Sequence, residues 1–257
     1  MLKLAENGDL KRLKSYCFKN VFGAYIICRA EAYGFSSSFS KIWIGENENG
    51  KINCAVSSLD GNAVVLASED CDFEELSFMI FAFGFSSVMT DAETARKCGI
   101  KDFEIKPVLR FESSLNFTET VTFDTEEDMK GVYELFSFCF PERCGKSKNE
   151  YLSWLSDFTF RKNRNLARLE VLHVGSKVVS AAATAAQCED AAVISSVACA
   201  EEYRGKGFGG AVTLSLVLKL KSENADVFVV AENGNLSRFY EKIGFKECGF
   251  AAYIERH

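Results

Sequence analysis

Histidine is almost missing from this chain of 257 residues: only His173 and the C-terminal His257 are present. A histidine-bound zinc centre or a Ser/His/Asp triad would have to rest on His173 alone, so both chemistries are set aside and no metal is expected. Proline is nearly as scarce, with 2 residues, and no Pro-rich or Gly/Ser-rich linker divides the chain. The 10 cysteines include no C-x-x-C pair. Most sit among apolar neighbours, as small buried hydrophobes do in a reducing compartment. The first 14 residues lack the apolar core of a secretory signal, and the longest apolar stretch, around 77–89, is too short to span a bilayer. A cytoplasmic protein without a membrane partner is expected. No basic excess exists either: residues 1–115 carry 13 Lys+Arg against 16 Asp+Glu, and residues 116–257 carry 17 against 20. Nucleic acid is therefore not an expected partner.

What is present is a globular composition, 47% hydrophobic and 26% charged, with an excess of 23 Phe. The length suits one large or two modest domains. Hydrophobic periodicity predicts helices over 9–18 and 21–33, strands over 41–45, 52–57 and 63–67, a helix over 72–83, a strand over 85–89, a helix over 92–98 and a strand over 104–111. Pro107 marks that last strand as an edge or a bulge. The order then recurs. A strand over 119–123 precedes a helix that starts in the capping-box-like Thr125/Asp128 and runs to about Phe140; Ser147 or Asn149 caps another through Leu155. Strands over 168–174, 178–185 and 192–200 lead into a glycine-rich segment, a helix over 211–220, a strand over 227–231, a helix over 236–243 and a strand over 250–254. The pattern predicts an α/β fold with a mixed sheet, duplicated in order, with the least bad boundary at 112–116.

The segment Arg204-Gly-Lys-Gly-Phe-Gly-Gly210 stands between a predicted strand and a predicted helix. Amides at a helix N-terminus converge on one spot, the helix dipole makes that spot positive, and glycines admit a bulky anion such as a diphosphate. A plain chain-reversing turn is the competing reading. Gly205-x-Gly207-x-x-Gly210 also matches the dinucleotide fingerprint, with Glu232 placed as its ribose-binding acid, but too little chain follows for a doubly wound sheet. A phosphate-loop reading of Gly145-Lys-Ser147 fails because Phe140 stands where the first glycine belongs.

Arg204-x-x-Gly207-x-Gly209 resembles the (Gln/Arg)-x-x-Gly-x-(Gly/Ala) signature of the GNAT superfamily of acyl-CoA N-acyltransferases. Asn233, followed seven residues later by Tyr240 and then by Gly244-Phe245, resembles the same family's second landmark. The resemblance covers about residues 118–257. It implies two GNAT folds in tandem: a degenerate domain over 1–115 without the CoA loop and an acetyltransferase domain over 116–257. It further implies acetyl-CoA as co-substrate and a small-molecule or peptide amine as acceptor, in a monomer or homodimer. The amides of Gly205, Lys206, Gly207, Phe208, Gly209 and Gly210, with Arg204, would hold the pyrophosphate. Val197, Ala198 and Cys199 would offer a strand edge to the pantetheine, aided by Asn233, and Tyr240 would serve as the acid for the leaving thiolate. The strand before the loop lacks the acid found in some relatives, which leaves Glu170, His173 or a water chain as the base. A non-catalytic acyl-CoA sensor is the alternative function. In the first half the corresponding junction, 67–73, has Glu69, Asp70 and Asp72, which would repel a diphosphate. The aromatic run Phe136, Phe138, Phe140, Tyr151, Trp154 and Phe158 reads either as core or as a wall of the acceptor cleft.

Overall fold

The structure is a computed structural model and describes residues 1–112 and 128–255. The strand expected over 119–123, Thr125, His257 and most of the 112–116 boundary lie outside the described residues. The elements are β1 (Lys3–Leu4), α1 (Leu10–Cys17), α2 (Val21–Tyr33), β2 (Ser40–Glu46), β3 (Ile52–Leu59), β4 (Asn62–Ala67), α3 (Phe73–Ala82), β5 (Ser87–Asp91), α4 (Ala92–Lys97) and β6 (Glu104–Phe111). They continue as α5 (Met129–Cys139), α6 (Lys148–Lys162), β7 (Leu169–Val174), β8 (Lys177–Gln187), β9 (Ala191–Cys199), α7 (Phe208–Ser222), β10 (Asp226–Val230), α8 (Gly234–Lys242) and β11 (Phe245–Glu255). From α1 to β6 and from α5 to β11 the order of helices and strands is the same.

Two compact units divide the chain. The first takes Met1–Leu109, Val230–Ser237 and Glu247–His257; the second takes Arg110–Val229 and Arg238–Lys246. In the first, the strands lie in the order β1-β2-β3-β4-β5-β11-β6. β2, β3 and β4 form an antiparallel meander, β4 runs parallel to β5, and the last strand of the chain pairs antiparallel with β5 from Ala251↔Asp91 to Glu255↔Ser87. Cys54, Val56, Val65, Leu76, Ile80 and Ile254 belong to one buried cluster on the α3 side of this sheet, and α1 and α2 contribute further buried residues such as Leu13 and Ile26. Helix α2 starts where Asn20 accepts hydrogen bonds from the amides of Phe22 and Gly23. Gly23 is required there, because a Cβ would stand 2.3 Å from the Cys17 carbonyl oxygen.

Pro107 does not make β6 an edge. β11 lies beside it, and the Pro107 carbonyl accepts from the Ala231 amide at 2.9 Å. Proline removes a donor but keeps its acceptor, which suffices on that side.

In the second unit the order is β10-β9-β8-β7. Val132, Phe136, Phe158, Val171, Ala181 and Ala198 share its core cluster, so α5 and α6 cover one face of this sheet. Asp128 caps α5 by accepting from Gly131 N–H, and Ser147 with Glu150 forms a capping box at α6. Among the described residues no helix is long and apolar enough to cross a membrane.

Helix α7 starts at Phe208, inside the glycine-rich segment, and β11 starts at Phe245, earlier than the periodicity suggested. Apart from the buried Phe245, the extension of β11 covers exposed residues and Gly249, and that of α7 covers two glycines, so apolar periodicity gives little signal there. Strand β1 is two residues long, too short for any pattern.

Candidate active site

The second unit assembles a strand edge and a helix N-terminus in succession. On one side, β9 pairs antiparallel with β8 up to Cys199↔Ser180. On the other, it pairs parallel with β10 only from Asp226↔Ala191 to Val229↔Ile194. Residues 195–199 run on beyond that last pair, and none of the described pairings takes up their outer side. The pairing with β8 skips from Ser196 to Ile194, so Ser195 is the extra residue of a bulge.

Strand alternation assigns the groups along this edge. The Ala200 amide donates to Val179 O, and the Ala198 carbonyl accepts from Ser180 Oγ at 2.8 Å, so residues 198 and 200 face β8. Val197 and Cys199 therefore turn their N–H and C=O groups toward the open side. Arg204 Nε reaches the Cys199 carbonyl from there at 3.2 Å. Of the three residues expected to offer an amide, the geometry leaves Val197 and Cys199.

After a 3-10 turn at Glu201–Tyr203, the chain passes Gly205 with φ +75° and Gly207 with φ +83° and enters α7. Both dihedrals lie in the left-handed region, where a side chain is strained. Gly207 is the N-cap and offers no side chain to the helix. The amides of Phe208, Gly209 and Gly210 precede the first intrahelical donor, Ala211, whose N–H reaches Gly207 O. A Cβ on Gly205 or Gly207 would meet no atom within 4 Å, so the space in front of the turn is open. At Gly209 and Gly210 a Cβ would make only ordinary contacts, 3.8 Å from the Phe239 ring and 3.4 Å from Ile243, so neither packing nor a positive φ demands glycine there. Lys206 lies over the Tyr203 ring at 4.9 Å, and Tyr203 stacks on Phe208.

Tyr240 is 6% exposed on α8, with its ring against Phe239 and Phe245 at centroid distances of 5.0 and 5.6 Å. Burial pushes its phenol up to about 12, so it is a proton-bearing donor at neutral pH. Asn233 belongs to the other compact unit. Its Oδ1 accepts from the amides of Asn235 and Leu236 at 3.0 and 3.1 Å, which caps the start of α8.

The two base candidates differ. Glu170 is buried and held by Ser215 Oγ and Lys219 Nζ of α7, so its carboxylate is committed to fastening β7 to that helix. His173 follows a register shift in β7, and its Nδ1 is buried without a partner. The centre of β9 holds Ser195 and Ser196, whose hydroxyls lie 3.4 Å apart. Burial raises the Cys199 thiol above its usual range, which disfavours it as a nucleophile.

The competing motifs have structural roles. Glu232 forms an ion pair at 2.9 Å with the buried Lys106. Ser147 is a helix cap, and the Gly145 carbonyl accepts from Tyr133 and Ser137. The aromatic run divides as well: Phe136, Trp154 and Phe158 pack in or against the core, while Phe138, 62% exposed, and Tyr151 line a cavity of about 490 Å³. Among the described residues no cluster of three or more potential metal ligands occurs.

What motif spacing could not supply was the bulge at Ser195 and the early end of the β9–β10 pairing. The adjacent serines within an apolar strand are the only trace of them in the chain.

Residues 173–254 match the family model described as FR47-like protein. No curated relative matches the sequence. Among solved structures, a tandem GNAT protein from the clavulanic acid biosynthesis pathway is similar at 11% identity and TM-score 0.63, covering 99% of this chain and 98% of that one. A GNAT-family acetyltransferase from Colwellia psychrerythraea matches at 13% identity and TM-score 0.60, with both chains covered completely. A GCN5-related N-acetyltransferase from Sphaerobacter thermophilus matches at 12% identity and TM-score 0.64, covering 99% of this chain and 95% of that one. At such identities the likeness speaks for the fold. The family pattern covers residues 173–254, and the likeness over nearly the whole chain is to the fold of GNAT acetyltransferases.

Proposed function

We propose that the chain is an N-acyltransferase that moves an acyl group, acetyl foremost, from CoA to a primary amine by direct attack in a ternary complex. The observation that carries this reading is the continuous path from the open edge of β9 to the uncapped N-terminus of α7. The donor set fits the proposed co-substrate. Three helix-terminal amides and two left-handed glycines facing open space suit a diphosphate, and an unpaired strand edge suits the amide groups of a pantetheine arm.

When bound, acetyl-CoA supplies a thioester with an electrophilic acyl carbon. The amides of residues 205–210 hold the diphosphate, with Arg204 contributing charge. The Val197 or Cys199 amide hydrogen-bonds the acyl oxygen and stabilises the charge that develops there. The acceptor's nitrogen forms the new C–N bond, its surplus proton passes to solvent through a water chain, and the C–S bond breaks. Tyr240 then acts on the sulfur. A phenol near 12 exceeds an ordinary thiol, about 8.5, by about 3.5 units, or about 5 kcal/mol, so complete proton transfer is uphill. Tyr240 therefore works as a hydrogen-bond donor to the thiolate, which takes its proton from water.

A second reading, an acyl-CoA sensor without turnover, is favoured by the serines at the centre of β9 and by the engagement of Glu170 with Lys219. Thiol release measured with polyamines, aminoglycosides, amino acids and peptides decides between them. Turnover on any member supports the enzyme, and tight CoA binding without turnover supports the sensor. Failure to bind CoA overturns both.

A further inference from the structure

The first unit holds a pair of cysteines that the acyl-transfer reading does not use. Cys54 lies in β3, opposite Ala67 of β4. After β4 the chain folds back over it: the Ser68 amide donates to Asn53 O at 2.8 Å, and Asn53 Nδ2 donates to the Asp70 carbonyl at 2.7 Å. This return brings Cys71 onto the cluster that contains Cys54 and places both residues on the wall of one cavity of about 520 Å³. The two thiols are near enough to influence each other's titration. Cys54 is 1% exposed and Cys71 half-buried, and both are free thiols.

We propose that Cys54 and Cys71 form an oxidation site for hydrogen peroxide, a neutral oxidant, which converts them into an intramolecular disulfide. The sulfur of Cys71, as thiolate, attacks the peroxide O–O bond, becoming a sulfenic acid and releasing hydroxide, which is protonated to water. The Cys54 thiol then displaces the sulfenic hydroxyl from Cys71, so the S–S bond forms and a second water leaves. Two thiols are oxidised and one peroxide is reduced. Interaction between the two thiols lowers that of Cys71 and raises that of Cys54, which fits attacking and resolving roles; burial and the neighbouring carboxylates oppose the first shift. Asp70 and Asp72 flank Cys71, and Glu75 adds to their field. That field disfavours an anionic oxidant such as glutathione disulfide and leaves a neutral peroxide at an advantage.

The test is peroxide treatment of the reduced full chain, followed by peptide mapping without reductant. The expected first product is a cross-linked peptide pair containing Cys54 and Cys71, formed about tenfold faster than oxidation of the exposed Cys248. Peroxide should also outpace glutathione disulfide at equal concentration. Cys54→Ser should trap a sulfenic acid at Cys71, captured with dimedone. Because Cys54 is buried, Cys71→Ser provides a second arm that leaves the core intact, and in it Cys54 should stay reduced. Oxidation of Cys248 before the pair, oxidation of Cys54 in Cys71→Ser, or cross-linking by glutathione disulfide as fast as by peroxide overturns the proposal.

Discussion

The two units meet the same architectural position with opposite chemistry. In each, a strand runs parallel to the next strand and then turns into a helix: β4 into α3 in the first unit, β9 into α7 in the second. Helix α3 is capped by Asp72, whose side chain accepts from the Glu75 amide at 2.9 Å, and its first turn carries Glu74 and Glu75. Helix α7 is capped by a glycine with no side chain, and no acid occupies its first turn. Carboxylates satisfy a helix N-terminus internally, whereas glycine leaves its amides and its dipole available to an external anion. The helix that follows differs too. α4 is six residues long and lacks tyrosine, while α8 carries Tyr240. One unit has spent this position on its own stability, and the other has kept it open.

Gly207→Glu gives the second unit the cap chemistry of the first and should have the largest effect. It sets a side chain at φ +83° and a carboxylate at the helix N-terminus. CoA affinity measured by calorimetry should fall by about a hundredfold or more, and unchanged affinity removes the diphosphate assignment. Tyr240→Phe comes next. Turnover should drop by roughly ten- to a hundredfold while CoA affinity holds, and full activity removes the phenol from the mechanism. The same variant reports on pH. Because the Tyr240 pKa is raised, the unfolded chain loses this proton first, so the stability linked to it is full below about 10 and declines as pH rises toward about 12. Denaturant titrations at both ends of that window should show a smaller decline in Tyr240→Phe.

Arg204→Ala should weaken CoA binding about three- to tenfold at low ionic strength and less at high salt, since the guanidinium is exposed. An effect independent of salt would assign Arg204 to holding the Cys199 carbonyl instead of to the ligand. Asp72→Ala is the smallest and sharpest contrast. It should cost about 1 kcal/mol of stability through loss of a cap and leave CoA affinity untouched. A change in affinity would show that the first unit takes part in binding.

Much of the fold was legible along the chain because amphipathic periodicity and caps are local. The predicted helix over 21–33 is the α2 observed, and Ser147 does cap α6. The candidate site was legible in a different sense. Gly207 and Gly209 stood out as residues, but sequence could not separate them: Gly207 is needed for its positive φ, whereas a Cβ on Gly209 would meet Phe239 only at an ordinary contact distance. The edge reading of Pro107 failed, because a missing donor does not remove the partner that its carbonyl finds.

The sequence by itself determined the periodic elements, the poverty in histidine, and the contrast between acids and glycines at the two junctions. Each of these is written in neighbouring residues. Only the tertiary structure decided which amides of β9 face outward, where its pairing with β10 ends, and that Glu170 is tied to α7. Strand register and long-range pairing depend on what lies across a sheet, and nothing in the local sequence encodes that.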